Sequence, residues 1–229
     1  EAAGMMPESD KVIEFIELLT LSGDYAGQRF ILRDWQKKIV RDLFDTRAED
    51  GSRRYTDCGI WLPRKSAKTE LATAIAAYHF FCLPSQEIYS AASSRDQASI
   101  VFNKLKGMIE RSPALSAKCR IITVSKRIIK ESTGSIFASL SSDGGHPHGL
   151  SPSMVVADEI HVWKKRDLWT ALTTGSGARK NHLILSTTTA GNYEPESLEW
   201  ELYDYASKVR DGVIDDPSYL PVIYELKKD

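Results

Sequence analysis

The chain has 229 residues, 42% of them hydrophobic, which suits one large α/β domain or a domain with a small appendage. Thirty basic residues face 31 acidic ones, and a net charge of −1 excludes a histone-like binder that holds nucleic acid by charge alone, while leaving room for a local basic patch. Three cysteines without metal spacing (Cys58, Cys82, Cys119), no apolar run near the roughly 20 residues of a membrane span, and no basic-then-apolar leader pattern give the expectation of a reduced, cytosolic protein with no membrane contact.

Apolar side chains at Val12, Ile13, Phe15, Ile16 and Leu19 predict an amphipathic helix over residues 10–19. Asp34 is placed to cap a second helix, with Trp35, Ile39, Val40, Leu43 and Phe44 on one face. At its start Gln36 stands beside Trp35, and a Gln amide can both donate to and accept from an adenine edge. A surface Gln next to a core Trp would read the same way. Residues 48–54 are polar with a Gly and predict a surface loop.

Next comes an apolar strand over residues 58–62, then Pro63-Arg64-Lys65-Ser66-Ala67-Lys68-Thr69, then an Ala-rich helix over 69–81 stopped by Pro84. A strand, a tight basic loop and a helix start are the layout of a phosphate site. Backbone N–H groups face the anion, a Lys neutralises it, and a hydroxyl can ligate Mg²⁺. The pattern departs from Gly-x-x-x-x-Gly-Lys-Ser/Thr, because Leu62 and Ala67 stand where the glycines belong. Ala67 can still leave its N–H open, though its φ is more restricted. In this reading Lys68 bridges the β- and γ-phosphates, Thr69 holds Mg²⁺, and Arg64 adds charge near the γ-phosphate. A basic surface loop leading into a helix would carry the same residues.

A strand over 87–93 precedes a helix capped by Ser94 and Gln97, with Ala98, Val101, Phe102, Leu105 and Ile109 on its apolar face. Short strands follow over 121–124, 127–130 and 135–140, with Thr133-Gly134 as a turn. His146-Pro147-His148 could offer two metal ligands, but no acidic or Cys partner lies nearby and a polar loop explains them. Ser151 to Ala157 predicts a buried strand ending in Asp158-Glu159. Asp158 would coordinate Mg²⁺, and Glu159 would orient and deprotonate an attacking water. These acids lie 90 residues beyond Lys68, enough chain for the two strands to be neighbours in a sheet. A helix over 164–173 and a strand over 182–187 come next. The strand ends in hydroxyls at Ser186, Thr187, Thr188 and Thr189, which could sense a γ-phosphate or simply form a polar turn. Pro195 opens a last helix, Gly212 lies past its end, and residues 222–226 predict a final strand. Strands interleaved with helices mean a mostly parallel sheet flanked by helices, and ligands bind outside the carboxyl ends of its strands.

In this order, Asp34-Trp35-Gln36, Arg64–Thr69, Asp158-Glu159 and Ser186–Thr189 resemble the ATPase domain of the large terminase subunit of tailed bacteriophages, the motor that pumps DNA into a preformed capsid. The resemblance runs from about Phe30 to Gly191 and takes in Leu140-Ser141-Ser142-Asp143, Gly149 and Pro152. It implies a P-loop NTPase of the ASCE type with a short β-hairpin insertion, and ATP and Mg²⁺ as cofactors. Residues 1–50 would be a helical segment with the adenine contact, 51–192 the ATPase core, and 193–229 a lid or linker. Pro63, Arg64, Lys65, Ser66, Ala67, Lys68, Thr69, Trp35, Gln36, Asp158, Thr187 and Thr188 would surround the nucleotide. Thr69 and Asp158 would hold the metal, with Glu159, Lys68 and Arg64 in catalytic roles. Some members carry Arg-Gly, an arginine finger, where this chain has His148-Gly149, so Arg179 is the substitute finger, with a plain solvated Arg as the alternative. The implied partners are double-stranded DNA gripped by its backbone, a portal, a small terminase subunit and further copies in a ring. In isolation a monomer is expected. The implied setting is host cytoplasm, docked on a procapsid. The family's nuclease domain is not expected within these residues. A helicase-like or DNA-repair ATPase on the same sheet, and a nucleotide-binding docking module, are the other readings.

Overall fold

The computed structural model describes residues 6–144, 149–191 and 194–224. Two N-terminal helices, α1 (Glu8–Leu18) and α2 (Asp34–Asp45), precede strand β1 (Asp57–Leu62) and helix α3 (Lys68–Cys82). Strand β2 (Glu87–Ala92) leads to helix α4 (Arg95–Glu110) and a single turn, α5 (Pro113–Ser116). The meander β3 (Arg120–Ile122), β4 (Arg127–Lys130) and β5 (Ser135–Ser141) follows, then β6 (Met154–Ala157), α6 (Asp167–Ser176), β7 (Leu183–Thr189), α7 (Leu198–Arg210) and β8 (Tyr219–Ile223).

All eight strands form one sheet in the order β3-β4-β5-β2-β6-β7-β1-β8. Pairing is parallel except at the β3–β4 and β4–β5 hairpins. This is the mostly parallel sheet that the alternating pattern predicts, with the hairpin insertion that the resemblance implies at one edge. One expectation is corrected. β1 and β6 are not neighbours, because the hydroxyl-rich β7 lies between them and pairs with both. Ala157 registers against Ser186, and Leu62 against Thr189. Residues 63–69 and 158–159 therefore leave the sheet at the same carboxyl edge at which Thr187 to Thr189 end β7.

The helices divide between the two faces for a reason visible in their composition. In α3, Leu71, Ala72, Ala74, Ile75 and Phe80 have no exposed surface. A helix buried on every side belongs in the middle of a layered structure. Its alanines let it lie close to β6 and β7, with α1 and α4 packed beyond it. On the opposite face Tyr89, Val155 and Ile184 pack against Leu168 and Leu172 of α6 and Leu198 of α7.

Several boundaries move. The helix expected over 164–173 begins at Asp167, and the last helix begins at Leu198, where the Ser197 hydroxyl accepts from the Trp200 N–H at 3.0 Å. The last strand begins at Tyr219, and the expected residues 225 and 226 lie outside the described ones. Asp34 sits inside α2 rather than capping it. Ser94 does cap α4 on the Gln97 N–H, but the Gln97 side chain answers the Ser93 hydroxyl and not the backbone. The expected surface loop 48–54 contains a buried residue, Arg53. Its guanidinium lies 5.0 Å over the Phe44 ring and donates to the Leu43 carbonyl.

Beside that Arg lies His79, only 1% exposed and packed edge-on to Phe44 and Tyr78. Burial first, and the Arg53 charge second, push its imidazole down to about 3. The folded state thus holds His79 neutral where the unfolded chain would take up a proton. Its contribution to stability is whole above pH 6.5 and drains away as pH falls toward about 3. The loss amounts to something on the order of 4 kcal/mol. His79→Leu should flatten this part of the curve, measured as urea midpoint against pH. An unchanged slope in the variant would show that His79 does not carry it.

Candidate active site

The phosphate loop grows out of β1, a strand held between β7 and β8. Leu62 is buried at its end, Pro63 is exposed, and the chain turns. Two non-glycine residues make the turn in the left-handed region, Lys65 at φ 60° and Ala67 at φ 58°. Of the two positions where the pattern has glycine, Leu62 stays in β1 and only Ala67 takes up the left-handed conformation, with Lys65 the second such residue, at a backbone cost of about 1–2 kcal/mol per residue. Ala67→Gly should relieve part of that strain and stabilise the domain by roughly 0.5–1 kcal/mol, since the greater freedom of an unfolded glycine offsets the rest. A rise in urea midpoint checks this. A fall would mean that the Ala67 methyl packs favourably.

α3 starts at Lys68, so its first amides point out of the loop without helical partners. Ser66 Oγ is buried with no hydrogen-bond partner among the described residues. An orphaned hydroxyl inside a ring of open amides is the signature of a site built for an anion. Arg64 and Lys65 are exposed on the rim.

The acidic turn meets this loop from below. Asp158 is 4% exposed. The Thr69 hydroxyl lies 3.2 and 3.1 Å from its two carboxylate oxygens, and the Thr187 hydroxyl donates to Oδ1. Burial raises the Asp158 pKa and the nearby Glu159 charge adds to this, while the two hydroxyls oppose it. Its backbone carbonyl accepts from the Trp163 indole N–H at 3.1 Å, which fixes the turn. Glu159 stands in the left-handed region at φ 51°. Its Oε1 lies 3.0 Å from Lys68 Nζ, and its Oε2 lies 3.2 Å from His161 Nδ1. The ammonium of Lys68 and the two carboxylates thus converge on one point.

The donor set suits Mg²⁺. Thr69 and Asp158 present hard oxygen ligands, and the buried carboxylate forms no ion pair among the described residues.

The other expected residues divide. Trp35 packs against Tyr224 with ring centroids 6.0 Å apart, and the Tyr224 N–H donates to the Trp61 carbonyl. That places Trp35 at the carboxyl edge beside the start of the loop. Gln36 is buried, and its carbonyl oxygen accepts from the Arg33 N–H at 2.9 Å. That bond engages one lone pair of the acceptor half at the helix start. Thr187 faces Asp158, whereas Thr188 points to the opposite face, onto His161 and Glu199.

Arg179 is corrected. It lies before β7, at the amino edge. Its guanidinium donates to the Ser151 carbonyl at 2.6 Å and the Ser85 carbonyl at 3.0 Å and faces Glu87 at 3.5 Å. These bonds tie the starts of β2 and β6 together. A guanidinium so occupied is structural, not an open finger. His146 and His148 fall outside the described residues. His161, Trp163, Glu199 and Tyr224 join the site only in the fold. Only His161, two places past the acid pair, carried a signal.

The model of one protein family, the terminase large subunit ATPase domain, matches residues 34–208. The chain belongs to this family. It is 30% identical over 233 residues to the terminase large subunit of Enterobacteria phage HK97, covering 98% of this chain and 44% of that protein. The chain thus spans less than half the length of that curated relative. The crystal structure of the HK97 large terminase superposes with a TM-score of 0.83 at 29% identity, covering 98% of this chain and 45% of that one. The ATPase domain of the Thermus phage P74-26 large terminase matches with a TM-score of 0.58 over 82% of this chain and 72% of its own. At 19% identity that last likeness shows a shared fold. Two features mark the phosphate loop of this terminase ATPase domain: Ala67 in the left-handed region and a Lys68–Glu159 ion pair across its mouth.

Proposed function

We propose that this domain hydrolyses ATP to ADP and phosphate in a Mg²⁺-dependent reaction, and that in the assembled terminase this drives double-stranded DNA into a procapsid. The observation that carries the reading is the meeting of Lys68, Thr69, Asp158 and Glu159 around a loop of open amides. Mg²⁺ held by Thr69 and Asp158 would neutralise charge on the β- and γ-phosphates. Lys68 leaves Glu159 and turns its ammonium to the phosphates. That frees the Glu159 carboxylate to accept a proton from water. The water oxygen bonds to the γ-phosphorus as the bond to the β–γ bridging oxygen breaks. Arg64, on the rim, adds positive charge. Trp35 offers an aromatic wall for the base, and the remaining Gln36 amide hydrogens can donate to it.

The reaction is expected to be slow in an isolated monomer, because an Arg from the next copy in a ring would complete the charge stabilisation. DNA would be held by its backbone, since packaging must ignore sequence. A portal and a small terminase subunit are the further partners of this reading, in host cytoplasm. No nuclease step is assigned to these residues. Phosphate release by the purified chain in MgATP, abolished by EDTA, tests the proposal. A chain that neither binds ATP nor releases phosphate at millimolar nucleotide would overturn it.

A further inference from the structure

We infer that Glu199 is a positioning residue for the hydrolytic step, acting through Thr188 and His161 on Glu159. The inference rests on the ATPase reading above and adds a residue from α7 to it.

Glu199 lies in the first turn of α7, yet it is 4% exposed, beneath the sheet face opposite α3. Its Oε1 is 3.2 Å from the Thr188 hydroxyl. Burial raises its pKa above the ordinary carboxylate value, the Thr188 bond opposes this, and the Glu159 charge adds to it. Such a group marks a site where geometry is fixed at a cost in solvation.

The direction of the bonds follows from counting hydrogens. The Thr188 hydroxyl has one, and a carboxylate can only accept, so Thr188 donates to Glu199. Its lone pairs then accept from the His161 backbone N–H at 3.3 Å and from His161 Nδ1 at 3.1 Å. That second bond requires the hydrogen on Nδ1. The same N–H lies 3.2 Å from Glu159 Oε2, so it is shared between Thr188 and Glu159. Every donor in the chain of contacts points the same way, from His161 to Glu159 and Thr188, and from Thr188 to Glu199.

Take the Glu199 carboxylate away and the Thr188 hydrogen is free to turn onto Nδ1. The imidazole then carries its hydrogen on Nε2 and presents a lone pair to the Glu159 carboxylate. The acid, already in a left-handed backbone conformation, loses its hydrogen-bonded partner. This matters most when Lys68 has moved to the phosphates, because His161 is then the contact that aims Glu159 at water. Glu199 should therefore act on the chemical step and not on nucleotide affinity. Because it rides on α7, the position of that helix is tied to the aim of the base.

The test uses the purified chain with Glu199→Ala, Glu199→Gln and Thr188→Val. Calorimetry gives Kd for ATP, and phosphate release gives kcat. Nitrogen-resolved NMR of the His161 ring, without nucleotide, gives the tautomer. Glu199→Ala is expected to lower kcat about tenfold with Kd unchanged, and adding Thr188→Val, which removes the hydroxyl that turns, should restore most of the rate. Glu199→Ala should move the ring hydrogen from Nδ1 to Nε2, whereas Thr188→Val, which has no hydroxyl hydrogen to turn onto Nδ1, should leave it on Nδ1 facing Glu159. Glu199→Gln keeps an acceptor for Thr188 and should restore the Nδ1 tautomer and most of the rate. Wild-type kcat or an unmoved tautomer in Glu199→Ala would overturn the inference, and Glu199→Leu, which fills the buried site without an acceptor, is read the same way should Glu199→Ala fail to fold. A Kd that weakens in step with kcat would make Glu199 structural and overturn it equally. The ring tautomer does not depend on hydrolysis. An inactive wild-type chain with the expected tautomers would therefore remove the ATPase reading and leave the bond network standing.

Discussion

Glutamine in place of Glu159 is expected to slow phosphate release by roughly 10²–10⁴-fold, the worth of a positioned base. ATP binding should hold or tighten. A carboxamide has nearly the shape of the carboxylate and can still accept the His161 Nδ1 hydrogen, so the left-handed turn at residue 159 stays in place. It cannot take a proton from water. It also gives up the 3.0 Å ion pair with Lys68, which in the nucleotide-free domain competes with the phosphates for the ammonium. The variant thus separates the two duties of this acid. Calorimetry reads the affinity and single-turnover phosphate release reads the chemistry. Undiminished release in Glu159→Gln would remove the residue from the base role, and with it the in-line mechanism. A parallel loss of affinity would mean that the turn had been disturbed and not the chemistry.

The layout of the site was legible in the sequence because each of its parts ends a buried strand. Ile60-Trp61-Leu62, Val155-Val156-Ala157 and Leu183-Ile184-Leu185 are apolar runs, and the polar residues that follow must emerge at one edge if the strands are parallel. The order of strands was not legible, because a run of apolar residues says that a strand is buried but not which strand lies beside it. Hence β7 came unforeseen between β1 and β6. Beside Trp35, Gln36 suggests either a base contact or a plain surface amide. The helix start claims its carbonyl first, since an open amide at Arg33 needs an acceptor. Arg179 fell in a Gly-rich loop before the right strand, but the start of a strand lies a sheet's width from its end. Glu199 was invisible for a different reason. An acid in the first turn of a helix is ordinary dipole compensation, and only burial against Thr188 distinguishes it.

Removing the ammonium of Lys68 should have the largest effect on binding. Lys68→Met is the cleaner variant, because it keeps an unbranched apolar stem in a position 8% exposed and takes away only the charge. ATP affinity is expected to fall by roughly two orders of magnitude, since the β- and γ-phosphates lose a cation in a site partly screened from water. Hydrolysis at saturating ATP should fall as well, because charge that builds on the γ-phosphate has one fewer partner. The fold itself should suffer less than the loss of a buried charge suggests. Glu159 is about a quarter exposed and retains His161, so water and imidazole can take over from the ammonium. A drop in melting temperature as large as that of a core truncation would contradict this and make the ion pair structural. Calorimetric titration of ATP into Lys68→Met and wild type decides the larger question. Equal affinities would place the nucleotide somewhere other than the mouth of this loop, whatever the carboxylates of 158 and 159 do.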